Sequence, residues 1–198
     1  GGKIVAQIFS PSGTNDYQPY LTQIAAAAPA MVFSSYTGTD ALAFVKQFAQ
    51  FGLNKTVKIV SVGSLVSADI LPQEGAAAAG IYTIDMWTAG LDNPENAKFL
   101  ADYKTKYKTD APVYAAYGFD AARMIVEALN ATKGDTSNIK SFTDALADVQ
   151  FASPRGAFKL APNHDPNQNF YVMQVDNSSG TPTLKMSAPI KDVVPPTS

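Results

Sequence analysis

Apolar positions in the first ninety residues fall into two alternating patterns. Short β-branched or apolar runs predict buried strands at Lys3 to Phe9, Met31 to Phe33, Val57 to Val62 and Ile81 to Trp87. Between them, apolar residues recur at helical spacing. A first helix has Asp16 as N-cap, Pro19 in its first turn, an apolar face of Tyr20, Leu21 and Ile24, and Pro29 to stop it. A second has Thr39 as N-cap and Asp40 in the first turn, where the dipole favours an acid. Leu42, Val45, Phe48 and Ala49 form its face, and Gly52 sits where a helix-ending glycine belongs. A short helix around Ala68 to Leu71 precedes an alanine-rich stretch. Strand and helix alternate throughout, which predicts an α/β fold with a parallel sheet and helices on both faces.

The rhythm changes near Thr88. Asn93-Pro94 reads as an N-cap with proline at the first helical position, opening a helix through Phe99, Leu100, Tyr103 and Tyr107. Val113 to Ala131 predicts one long helix, with Met124, Ile125 and Leu129 buried. Ile139, Phe142 and Leu146 mark a shorter one, capped by Ser137 or Asn138. Ser153-Pro154-Arg155-Gly156 is a turn. Ala157 to Leu160 and Phe170 to Val175 then predict an antiparallel hairpin, and the proline-rich tail after Lys185 reads as loose.

In open parallel sheets, ligands bind beyond the carboxyl ends of the strands. Two polar loops lie at such ends. Ser34 to Gly38 carries an aromatic ring and hydroxyls ahead of a helix N-terminus, and Gly63-Ser64 is the second. The plainer reading of the first is an ordinary capped strand-to-helix turn. Asp85 lies in an otherwise apolar strand beside Trp87; solvent-facing alternation and a cleft role both remain open for it.

Composition narrows the chemistry. The 198-residue chain is 46% hydrophobic with a net charge of −2, so neither nucleic acid nor an anionic membrane surface is an expected partner. There is no cysteine, which excludes thiol chemistry, disulfides and thiolate metal sites. No run is long and apolar enough to span a bilayer, and Gly1-Gly2-Lys3 leads straight into a strand without a signal peptide. The one histidine, His164, sits in a polar turn, and neither a G-x-S-x-G nor a phosphate-binding glycine motif is present. Asp16, Asp40, Asp69 and Asp120 all stand where helix capping or first-turn placement accounts for them. No catalytic residue, metal or cofactor is expected.

The segment GGKIVAQIFSPSGTNDYQPYLTQIAAAAPAMVF resembles periplasmic ligand-binding proteins of the leucine/isoleucine/valine-binding type. The matching positions are Pro11, Gly13, Thr14, Asp16, Tyr17, Tyr20, Leu21, Ile24 and Pro29. YGFDAARMIVEAL and SPRGAFKLAPNHDPNQNFYVMQV are similar to that family's closing helix and final hairpin. The resemblance implies a type I periplasmic-binding-protein-like fold of two α/β lobes joined by crossover strands, of which this chain would be the later part. Residues 1–87 would be a second-lobe segment lacking its first strand, and 88–152 a helical segment of the first lobe. Residues 153–185 would be the hairpin returning to the second lobe, and 186–198 a loose tail. The strand at Lys3 to Phe9 would then need the missing segment of the protein beside it.

The resemblance further implies capture of a small solute for the permease of an ABC importer, in the periplasm or an equivalent extracytoplasmic space, by hinge closure. Carried over by position, the ligand contacts are Tyr36, Thr37, Gly38, Gly63, Ser64 and Leu65, with Asp85 added from its place in the strand. Family members that bind α-amino acids carry an acid in the second of these loops. Gly63-Ser64-Leu65 has none, which favours an aromatic or aliphatic carboxylate over a branched-chain amino acid. A ligand-sensing domain of the same fold is the alternative, and a hydrolase fits less well.

Overall fold

A computed structural model describes residues 1–193. They form two compact units. One comprises Gly1–Asp85 with Val172–Ala188, and the other Met86–Tyr171 with the chain from Pro189.

The first unit opens with α1 (Gln18–Ala27), β1 (Met31–Ser34), α2 (Gly38–Gln50), β2 (Lys58–Val62), α3 (Leu71–Glu74) and β3 (Tyr82–Asp85), with short 3-10 turns at Leu53–Lys55, Gly63–Val66 and Gly75–Ala78. The three strands are parallel, with Met31 opposite Lys58 and Val60 opposite Tyr82. The helices close over the strands because their apolar stripes have a matching surface to bury: Leu21 and Ile24 of α1 and Ala41, Phe44, Val45 and Phe48 of α2 join Ile59 and Leu65 in one core.

The second unit carries α4 (Pro94–Tyr107), α5 (Val113–Ala131), α6 (Ile139–Ala147), β4 (Gln150–Ser153), β5 (Gly156–Leu160) and the start of β6 (Pro166–Asp176). β4, β5 and β6 are antiparallel neighbours, with Phe151 opposite Phe158 and Lys159 opposite Asn167. Trp87, Phe99, Ala111 and Ala116 form a separate core under the helices. From Val172, β6 belongs to the first unit, where Gly80 N donates to Val175 O and Val175 N donates to Ile81 O, both at 2.9 Å. β7 (Thr183–Val193) pairs with β6.

Several sequence expectations are corrected. Lys3 to Phe9 is not a strand: it is irregular, with Ile4 73% and Phe9 83% exposed. A β-branched run becomes a strand only beside a partner for its backbone groups. β1 has β2 as its sole strand neighbour among the described residues. α2 starts at Gly38 with Thr37 at the N-cap, two residues before the expected Thr39. The short third helix lies at Leu71–Glu74, not Ala68 to Leu71. α5 has the expected bounds, but its buried residues are Ala116, Asp120 and Ala128, while Ile125 is exposed. Of the two expected caps for α6, Asn138 is the one in place, accepting from Ser141 N at 3.1 Å. The hairpin has an additional strand, β4, and β6 begins at Pro166. Lys185 onward is ordered as β7 through Val193; the rest of the expected loose tail, 194–198, lies outside the described residues.

Candidate functional site

The carboxyl ends of β1, β2 and β3 bring the loop residues of the first unit together. β1 ends at Ser34, and Tyr36 follows in the turn to α2, half-buried. Its ring packs 4.9 Å from that of Phe44 and 5.3 Å, edge-on, from that of Tyr17. Its hydroxyl lies 2.9 Å from Ser10 Oγ. Its carbonyl accepts a hydrogen bond from Ser64 Oγ at 3.1 Å, which ties the β1 loop to the β2 loop. Thr37 and Gly38 are exposed at the start of α2, with Gly38 at φ +55°, where glycine is favoured. Asp40 in the same turn accepts from Gly13 N at 3.0 Å and so holds the loop before α1.

Register places the next pair. Val62 is opposite Ile84, so Gly63 and Asp85 are adjacent where β2 and β3 end. A Cβ at position 63 would stand 1.7 Å from Asp85 Oδ2, so the carboxylate occupies the space a side chain there would need. A carboxylate on the neighbouring strand thus lies beside the Gly63-Ser64-Leu65 loop. Ser64 is half-buried, and Leu65 is wholly buried in the core, so its side chain packs inward and only its backbone belongs to the loop.

Ser10 and Tyr17 belong to this constellation, although sequence reasoning did not place them there. Tyr17 is wholly buried, and burial pushes its phenol up to about 12, with Ser10 acting against that rise and Asp40, Tyr36 and Tyr20 adding to it. The available signal was the polar turn Ser10 to Gly13 after an apolar run, the same pattern as the other two loops.

The residues set aside in the sequence stand mostly as expected. His164 is exposed in a turn; Asp16 accepts from Gln18 N at 2.9 Å just ahead of α1, but the N-cap of that helix is Tyr17 and not the expected Asp16. Asp120 is different: it is 2% exposed within α5, paired with Arg155 Nε at 2.6 Å and accepting from Ser153 Oγ at 2.8 Å. Its place is a buried ion pair, not a first-turn acid. Among the described residues no group of acids and histidines is placed to hold a metal, and no helix is long and apolar enough to cross a membrane.

A parallel α/β unit with polar loops gathered at its strand carboxyl ends is the class of fold that binds ligands at that edge. The chain belongs to the periplasmic binding protein family, whose model matches residues 1–181. It is 29% identical over 182 residues to Leu/Ile/Val-binding protein homolog 6 of Brucella melitensis, covering 88% of this chain and 46% of that protein. Its structure is similar to an ABC transporter substrate-binding protein from Sphaerobacter thermophilus, with TM-score 0.89 and 32% identity over 97% of this chain and 53% of that one. It is also similar to an ABC transporter solute binding protein from R. palustris in complex with 4-hydroxybenzoate, with TM-score 0.89 and 28% identity over 97% and 53% of the two chains. The chain spans about half the length of these relatives. Its fold is that of the type I periplasmic binding proteins.

Proposed function

We propose that this chain supplies one side of the solute site in an ABC-importer binding protein working outside the cytoplasm, and that the solute is a small carboxylate with an apolar, aromatic or aliphatic, body. The observation that carries this reading is the setting of Tyr36. Its ring packs into an aromatic cluster that can extend to an apolar ligand body, its hydroxyl bonds with Ser10 Oγ, and its backbone carbonyl accepts from Ser64 Oγ. Backbone amides near Gly38 and Gly63 are the further donors for a carboxylate. Closure over the solute creates contacts that exist only in the closed state, so binding shifts the population toward it, and a membrane permease reads that state. The 4-hydroxybenzoate bound by the R. palustris relative fits this solute class.

Asp85 favours a second reading. Its carboxylate against Gly63 gives the site an acid that can pair with an ammonium, which suits a branched-chain amino acid, the solute class in the name of the Brucella relative. Titration calorimetry on the whole protein separates the two. Tyr36→Ala removes a ring and a hydroxyl from the centre of the site and is expected to weaken binding at least about thirtyfold for either solute, since losing a central anchor costs about 2 kcal/mol or more. Asp85→Asn is expected to leave benzoates bound and to release only leucine if the second reading holds. Unchanged affinity in Tyr36→Ala, or turnover of any solute tested, overturns the assignment.

A further inference from the structure

The chain leaves the first unit between Asp85 and Met86 and returns to it in mid-strand, between Tyr171 and Val172 of β6. On the second-unit side both passages are gripped by one turn, Ser153-Pro154-Arg155-Gly156, where β4 meets β5. Arg155 Nη1 donates to Gln168 Oε1 of β6 at 2.7 Å, and Gln168 Nε2 and Arg155 Nη1 both donate to Met86 Sδ. Tyr171 Oη donates to Arg155 O at 3.4 Å. The turn is held from behind by two helices. Asn93 Nδ2, at the start of α4, donates to Pro154 O at 3.1 Å. Asp120 Oδ2 of α5 takes Arg155 Nε at 2.6 Å and Ser153 Oγ at 2.8 Å. The guanidinium also lies over the rings of Tyr117 and Phe158, at 5.3 and 5.5 Å.

Stability alone does not account for this arrangement, because a buried ion pair is often replaceable by apolar side chains of similar volume at no loss. What an apolar pair cannot supply is direction. A guanidinium is a rigid planar fork that fixes several partners at once. Here one arm of the fork reaches α5, and another reaches the two segments that lead to the first unit. Met86 is one peptide bond from Asp85, whose carboxylate occupies the space over Gly63 in the solute loops. Segments that are loose in the open protein lose that freedom on closure, and the apparent affinity falls with the fraction of molecules ready to close.

We propose that Arg155 is a positioning residue for solute capture: held by Asp120, it fixes Met86 and Gln168, and with them both passages of the chain, so that the open protein is ordered for closure. The anchor rests on the reading of the Tyr36 loop as one side of a site that closes over its solute.

The test is titration calorimetry on the whole protein with 4-hydroxybenzoate and leucine as probes, with thermal melting in parallel. Asp120→Leu/Arg155→Met replaces the pair by apolar side chains and keeps the backbone bonds of the turn, but it has no fork for Met86 and Gln168. It is expected to melt within a few degrees of wild type and still to bind the productive probe about three- to tenfold more weakly. Gln168→Met keeps the ion pair and cuts only the arm toward β6 and Met86, and a loss of similar size is expected. The triple variant is expected to bind no more weakly than the double, because the three residues form one device. Small-angle scattering gives a second readout: without solute the double variant is expected to have a larger radius of gyration than wild type, and saturating probe is expected to bring the two together. A merely structural pair would move the melting temperature and leave affinity and scattering alone. Wild-type affinity in either variant, or identical scattering of the solute-free proteins, overturns the anchor while leaving the site in place. If the double variant fails to fold, Gln168→Met decides the matter by the same criterion. Absence of saturable binding of both probes to the wild-type protein overturns the site reading and the anchor with it.

Discussion

Glu74 is 3% exposed at the end of α3, and neither of its carboxyl oxygens has a hydrogen-bond partner. Burial pushes its pKa from 4.5 up to about 7, with Lys46 opposing the rise and Asp69 adding to it. The folded state therefore favours the protonated acid. Its contribution to stability is complete below about pH 4.5 and is lost as the pH rises through about 7, for a total of about 3 kcal/mol at most. Urea denaturation at pH 5 and pH 8 is expected to show the wild-type protein losing stability across that interval and Glu74→Gln losing much less. Equal slopes for the two would remove Glu74 as the cause. Gly63 makes a second prediction at this scale. Gly63→Ala places a methyl group where the Asp85 carboxylate now lies, so it is expected to lower stability by about 1–3 kcal/mol. Asp85→Ala in the same chain should recover part of that loss, and a double-mutant cycle by thermal melting measures the coupling.

Among the elements, α5 shows what apolar spacing could and could not tell. Its bounds, Val113–Ala131, follow from a run of good helix formers after Pro112. Its orientation does not, because apolar residues surround it: Tyr114, Phe119, Ile125 and Val126 are all exposed, and no single stripe stands out. The residue that fixes its inner face is polar. Asp120 meets Arg155 of the β4–β5 turn, 35 positions later, and Arg155 also donates to Gln168 Oε1 at 2.7 Å. Local reasoning treats such an acid as a capping residue because its partner is far along the chain. Removing one member leaves a buried charge unpaired, so Arg155→Met alone is expected to cost about 3–5 kcal/mol. The double variant Asp120→Leu/Arg155→Met is expected to regain most of it. Chemical denaturation of the three variants checks this, and an undiminished loss in the double variant would contradict the account of the pair. α2 was more legible. Val45, Phe48 and the terminal Gly52 were readable, but the buried stripe also takes in Ala41 and Phe44 while Leu42 and Ala49 are only half-buried, and the helix opens two residues early because Thr37 O accepts from Ala41 N.

For the molecule as a whole, the alternation of strands and helices carried the α/β class, and strings spread from Gly1 to Val175 carried the family. Lys3 to Phe9 was misread because strand propensity reports on side chains, while strand formation requires a neighbouring backbone. The Tyr36, Gly63 and Ser64 loops were legible from their place after apolar runs. The Tyr36 bonds to Ser10 and Ser64, and the Gly63 contact with Asp85, were not, since each joins residues more than twenty positions apart. The central claim is that these loops bind a small carboxylate. Its most direct test is a calorimetric titration of the whole wild-type protein with 4-hydroxybenzoate and, in parallel, leucine. The account predicts saturable one-to-one binding of at least one of them. No saturable binding of either, under conditions where the protein is folded, would contradict it.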